Sequence, residues 1–180
     1  MTKTIYLVRH CKATGQEASA PLTEKGLEQS EILAKTFSSV KIDRIISSPF
    51  LRARQSITPL AKALSLPVET DARLTERILC GDSRSDWEYH LERSFDNFDV
   101  SLPGGESSRP AMERGLQVIN EVLARDEHST AIVTHGNLMA LILKYFDDAF
   151  DFREWKSLST PDVYCIRGDK IPFQIKRRWK

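Results

Sequence analysis

Two histidines and two arginines in this chain stand where they could act together on an anion. Arg9 and His10 end the apolar run Ile5-Tyr6-Leu7-Val8, and His135 ends a second one, Thr130-Ala131-Ile132-Val133-Thr134. Short apolar runs of this kind read as strands buried on both faces. In open α/β sheets, ligands bind outside the carboxyl ends of such strands. Ser47-Ser48-Pro49-Phe50-Leu51-Arg52-Ala53 repeats the arrangement: a strand end, a turn and an arginine near a helix start. Arg9 and Arg52 can fork around phosphate oxygens, and helix starts after Pro49 and Gly136 would add N–H donors. Each group alone has a plainer reading: a satisfied structural histidine, or a surface helix arginine. Together they describe a pocket for a phosphate.

The elements that must position these groups follow from periodicity and punctuation. Thr23 is suited to cap a helix over residues 23–38, with Leu27, Leu33, Ala34 and Phe37 at helical spacing. Residues 42–48 read as a second strand, stopped by Pro49. A helix follows from Phe50, with Ile57, Leu60, Ala61 and Leu64 on one face and a bend expected at Pro59. Residues 67–70 suggest a short third strand, and a helix is expected within 84–97. Pro110 suits the first turn of the next helix, whose Met112, Leu116, Ile119 and Leu123 share a side. After the strand ending in His135, Leu138, Leu141, Ile142, Tyr145 and Phe146 mark a buried helix. Residues 163–166 and 173–175 read as last strands joined by a turn at Gly168-Asp169. The alternation predicts an α/β fold in three layers, with a mostly parallel central sheet of about six strands and helices on both faces. One domain over 1–180 is expected, with a lid or substrate rim around 78–106.

Composition narrows the class. The 180 residues include 26 Lys plus Arg against 25 Asp plus Glu, 41% hydrophobic and 28% charged residues. This is a globular balance, without the charge excess of a nucleic-acid or membrane-surface protein. The basic run Lys176-Arg177-Arg178-Trp179-Lys180 reads as a solvated tail. Three widely spaced cysteines, Cys11, Cys80 and Cys165, give neither a disulfide framework nor a cysteine zinc site. No signal-peptide pattern or membrane-length apolar run is present, so a cytoplasmic location is expected. No H-E-x-x-H, EF-hand or Walker pattern occurs, and His10, His90, His128 and His135 make a poor zinc set. Neither metal nor cofactor is expected.

At this point the sequence resembles the histidine phosphatase superfamily, the phosphoglycerate-mutase-like proteins, in its small phosphatase branch. The match runs in the family's order through Arg9-His10, Leu22-Thr23 with Gly26, Ser47-Ser48-Pro49 through Arg52-Ala53, Leu74-Thr75-Glu76, Pro103-Gly104-Gly105-Glu106-Ser107 and Thr134-His135-Gly136-Asn137. Three departures stand out: Cys11 replaces the usual glycine, Lys12 replaces an acidic or amide residue, and Ala140 replaces a frequent arginine. The resemblance implies a phosphatase acting on a phosphate monoester. His10 would be the nucleophile forming a phosphohistidine, and Glu76 the proton donor to the leaving oxygen, with Asp82 a lesser candidate. Arg9, Arg52, His135, Thr14 and the backbone N–H of Asn137 would hold the phosphoryl group. Plainer roles are a turn-capping Thr14 and a Glu76 paired with Arg77 or Arg73.

Competing chemistries can be weighed on the same residues. A cysteine phosphatase built on Cys11 demands an arginine at position 17, and residue 17 is Glu. Cys11 is then an occupant of a glycine slot, open to oxidation. A cofactor-dependent mutase of phosphoglycerate type is the alternative activity, although such relatives generally carry a longer insertion over the substrate. A non-catalytic module binding phosphorylated ligands would keep Arg9 and Arg52 but lose nucleophile or acid, and both are present. The substrate is expected to be a small phosphorylated compound or a phosphoprotein. Arg84, Trp87, Tyr89, His90 and Arg93 are expected to rim the pocket.

Overall fold

Residues 2–169 and 172–179 are described in a computed structural model. Six strands form one sheet: β1 (Lys3–Arg9), β2 (Arg44–Ser47), β3 (Val68–Thr70), β4 (Ser129–Thr134), β5 (Asp162–Gly168) and β6 (Gln174–Arg177), in the order β3-β2-β4-β1-β5-β6. The pairings β3–β2, β2–β4 and β4–β1 are parallel, while β5 runs antiparallel to both β1 and β6. The helices are α1 (Glu24–Thr36), α2 (Leu51–Leu64), α3 (Trp87–Asp96), α4 (Ser108–Ala124), α5 (Gly136–Phe146) and α6 (Phe152–Ser157).

Strand side chains alternate between two cores, as a pleat of period two requires. Ile5, Leu7, Ile46 and Ile132 pack with α3, α4 and α5, whereas Val8, Ile45, Ala131 and Val133 pack with α1 and α2. The three-layer expectation is met. Helices α1 and α2, which follow β1 and β2, lie on one face; α5, which follows β4, lies on the other. The crevice between adjacent β1 and β4 is therefore a switch point of the kind where α/β sheets bind ligands.

Several local expectations need correction. Leu27 and Tyr145, assigned to buried faces, are 50% and 51% exposed. The basic carboxyl-terminal run is not a free tail: Lys176 and Arg177 belong to β6, Arg177 pairs with the buried Asp162 at 2.5 Å, and Trp179 packs on the α1–α2 core. Lys180 lies outside the described residues, as do Lys170 and Ile171 beside the turn foreseen between β5 and β6. Helix α6 was not anticipated, though Asp151 and Glu154 form a full capping box at its start.

Candidate active site

Three neighbouring parallel strands end together, and their next residues meet. Arg9 lies opposite Thr134 and Ser47 opposite Val133 in the ladders. The ladders continue one step further: His10 N–H donates to the Thr134 carbonyl (3.1 Å) and Ser48 N–H to the Val133 carbonyl (2.9 Å). Ser48, His135 and His10 thus follow β2, β4 and β1 side by side. The imidazoles of His10 and His135 lie 5.1 Å apart, centroid to centroid.

His10 is held by hydrogen bonds at both ring nitrogens. Nδ1 lies 2.7 Å from the Cys11 carbonyl, which can only accept, so Nδ1 carries the proton and Nε2 the lone pair. Nε2 faces Arg52, whose Nε–H points to it at 3.2 Å. Burial pushes the His10 pKa down to about 4, with Arg52 and Arg9 acting in the same direction and the Cys11 carbonyl against them. A neutral imidazole with an inward lone pair is the form a nucleophile requires.

Arg52 is buried and Arg9 partly so, and neither guanidinium has a carboxylate in contact among the described residues. Arg52 has no exposed surface, and its Nη1 donates to the carbonyls of Gln16 (3.0 Å) and Glu17 (2.8 Å). Arg9 Nη1 donates to the carbonyls of Leu158 (3.1 Å) and Ser159 (3.3 Å), while its buried Nε has no partner. Asp162 accepts from the Ser159 N–H (2.9 Å) and so steadies the turn that holds Arg9. Burial lowers both arginine pKa values, and Glu76 opposes the shift in each. Gly136 is what lets Arg9 lie against α5: a Cβ there would meet Arg9 Cζ at 2.9 Å and Nε and Nη2 at 3.0 Å.

His135 is fully buried, with Nε2 2.8 Å from Ser48 Oγ and Nδ1 lacking any partner. Burial first, then the charges of His10, Arg52, Arg114 and Arg9, hold its pKa well below the usual histidine value. Phe50 lies edge-on to its ring at 5.0 Å, and the Arg52 guanidinium lies 5.0 Å from the centre of the same phenyl. The unpartnered Arg9 Nε–H and His135 Nδ1, near a neutral His10, form an arrangement that suits an oxyanion.

The comparisons with known proteins point the same way. Residues 5–176 match the model of the histidine phosphatase superfamily (branch 1). The chain belongs to this superfamily. It is 28% identical over 155 residues to the probable phosphoglycerate mutase GpmB of Proteus mirabilis, covering 77% of this chain and 72% of that one. To the phosphohistidine phosphatase SixA of Escherichia coli it is 35% identical over 83 residues, 43% of this chain and 51% of that one. Among solved structures, Bacillus stearothermophilus YhfR superposes with a TM-score of 0.78 at 26% identity, over 97% of this chain and 96% of that one. A mycobacterial glucosyl-3-phosphoglycerate phosphatase has the same fold, with a TM-score of 0.78 at 19% identity over 98% and 97% of the two chains.

Within this site, Glu76 is not the ion-pair partner that its neighbours suggested. Arg73 pairs with Asp71 and Glu121, and the Arg77 side chain reaches the Glu106 carbonyl (2.8 Å) and Ser94 Oγ (2.8 Å). Glu76 Oε1 accepts the N–H groups of Arg77 (2.9 Å) and Leu138 (3.0 Å), and Oε2 accepts that of Asn137 (3.0 Å). The backbone N–H of Asn137, expected to face a phosphate, is thereby occupied. Its side-chain Nδ2 is instead the buried donor without a partner.

Thr14 makes no hydrogen bond to the cluster among the described residues. It is exposed, and both its N–H (2.9 Å) and its hydroxyl (3.2 Å) donate to the Pro21 carbonyl, the turn-capping role. Cys11 is fully buried and burial pushes its thiol up to about 11, so the expected sensitivity to oxidation has no thiolate to act through. The residues expected to rim the pocket contact one another and their neighbours: Arg84 and His90 meet Asp86, Arg93 lies over Tyr89, and Trp87 packs on Trp155 of α6. From α3, Ser94 is the residue that reaches Arg77.

Sequence reasoning assigned no role to Ser48, Glu106 or Arg114. Arg114 carried a signal: it sits three residues after Ala111 and four before Val118, on the buried stripe of α4. Its guanidinium is forked on Glu106 at 2.9 and 3.0 Å and donates to the carbonyls of Arg73 (2.6 Å) and Thr75 (2.8 Å).

Proposed function

We propose that this protein is a phosphatase that hydrolyses phosphate monoesters through a phosphohistidine on His10, without a metal. The observation that carries the reading is the Nδ1 bond of His10 to the Cys11 carbonyl, which leaves the Nε2 lone pair facing the Arg52 guanidinium. His10 Nε2 attacks phosphorus, the bond from phosphorus to the ester oxygen breaks, and Glu76 gives its proton to that leaving oxygen. Water then attacks the phosphohistidine, its proton passes to Glu76, and the N–P bond breaks to release inorganic phosphate. Oε1 of Glu76 already accepts two N–H groups and Oε2 only one, so Oε2 has room for the proton.

Arg9, Arg52 and His135 hold the phosphoryl oxygens as charge shifts in transfer. Loss of one such donor typically costs about 3–4 kcal/mol of transition-state stabilisation. Proton transfer by Glu76 adds roughly 100- to 10,000-fold. The substrate is a small phosphorylated compound. None of the described helices is long and apolar enough to cross a membrane, and the three cysteines are free thiols, as suits a reducing cytoplasm.

The test is a panel of phosphate esters (sugar phosphate, phosphoserine, phosphoglycerate, a phosphohistidine protein) offered to the native protein and to His10→Ala, each with and without chelator. Release of inorganic phosphate by the native protein alone, unaffected by chelator, is expected, together with an acid-labile label trapped on His10. Return of a phosphorylated isomer instead of phosphate would make the protein a mutase. Equal hydrolysis by the alanine variant would end the phosphohistidine mechanism.

A further inference from the structure

We propose that Arg114 is the positioning residue for Glu76, fixing through the backbone where the acid delivers its proton. The inference rests on the reading of Glu76 as proton donor. Three successive carbonyls before Glu76 are held from outside the loop: Arg73 and Thr75 by Arg114 Nη1, and Leu74 by the buried Thr134 hydroxyl (2.8 Å). Arg114 is in turn fixed by its two-pronged contact with the Glu106 carboxylate. The carbonyl of the same Glu106 accepts from Arg77 Nε on the other side of Glu76 (2.8 Å). A single Arg–Glu pair therefore brackets the acid at both of its chain neighbours.

Four of the five N–H groups of Arg114 are engaged in this bracket, which distinguishes it from Arg9 with its unpartnered Nε and from Arg52, whose Nε points to His10. Its charge also acts on His135, so geometry and charge must be separated. Lysine keeps the charge but cannot make the fork or bridge two carbonyls with the same fixed geometry. Small misplacements of a reacting group cost as much as about 100-fold in rate.

The experiment compares kcat/KM for an alkyl phosphate, whose leaving oxygen needs a proton, with that for dinitrophenyl phosphate, whose leaving group does not. In Arg114→Lys the alkyl ester should lose roughly 30- to 100-fold, near the lower end of what general acid catalysis supplies, and the aryl ester less than about threefold. Glu106→Gln, which weakens the bracket from its other end, should show the same selective loss. Melting curves with and without phosphate accompany both. Equal losses on the two esters, or no loss on either in a folded variant, would overturn the assignment. If the native protein forms no phosphohistidine on His10, the reading of the site fails first and this inference with it.

Discussion

Glu76 Oε1 lies 3.0 Å from the backbone N–H of Leu138, so the candidate proton donor also caps the helix that follows His135. His135 itself, at the cap position, makes no side-chain cap bond to α5. Two first-turn N–H groups therefore depend on a carboxylate from another loop. Glu76→Ala leaves both without an acceptor in a buried setting and should cost about 2 kcal/mol. Glu76→Gln keeps one carbonyl oxygen and should cost about half as much. Both should lose alkyl-ester hydrolysis by about 100-fold or more. Urea unfolding read beside kcat/KM checks this, and equal stability of the two variants would deny the capping role.

The strand ends were legible because apolar runs stopping on Arg9-His10, Ser47-Ser48 and Thr134-His135 are a pattern of composition. Parallel pairing then brings them together. The dual use of Glu76 was not legible, because its partners are backbone N–H groups sixty residues away that no residue type announces. The contact that Thr14 makes was hidden for a similar reason: a short loop decides which way a hydroxyl turns, and here it turns to the Pro21 carbonyl. Glu106 could be read only as part of the segment before α4, since its partner Arg114 is chosen by how that helix packs against the segment.

Acid should destabilise the protein through His10. Its pKa is about 4 folded against about 6.5 unfolded, so between these values the unfolded chain binds a proton that the folded chain refuses. The stability contribution is complete above about pH 6.5 and is lost as pH falls toward about 4. At its fullest it is about 3 kcal/mol, and His135, shifted the same way, steepens the loss. His10→Asn should flatten the pH dependence of urea unfolding across that window. A variant as acid-sensitive as its parent would contradict the buried, neutral state of His10.

Gly136→Ala should separate activity from stability. The position needs no left-handed backbone and lies in the first turn of a helix, where alanine is favourable, so stability should change by less than about 1 kcal/mol. The added methyl would lie 2.9 Å from Arg9 Cζ, closer than carbon atoms can pack, and Arg9 is tethered at Nη1 to two carbonyls. The guanidinium must shift, and a displaced phosphate donor typically costs about 100-fold in kcat. Unchanged melting with phosphate affinity weakened in calorimetry is the expected pair of results; full activity would show that Arg9 can move without consequence.

Ser48 is expected to set the direction of the proton on His135. Its oxygen accepts the Phe50 N–H at 3.3 Å and lies 2.8 Å from His135 Nε2. If the hydroxyl donates to Nε2, no Ser48 proton is idle, and the neutral imidazole carries its own proton on the buried, unpartnered Nδ1. That orphan is then a donor, as an oxyanion requires. The opposite orientation would leave an idle hydroxyl proton and present a lone pair to the phosphate. Nitrogen NMR of the native protein near neutral pH should therefore find His135 as the Nδ1–H tautomer. Ser48→Ala should let the tautomers mix and weaken inorganic phosphate binding by about tenfold, the equivalent of one lost hydrogen bond of about 1.4 kcal/mol. A native spectrum dominated by Nε2–H would remove His135 as a neutral donor and leave phosphate binding to the two arginines.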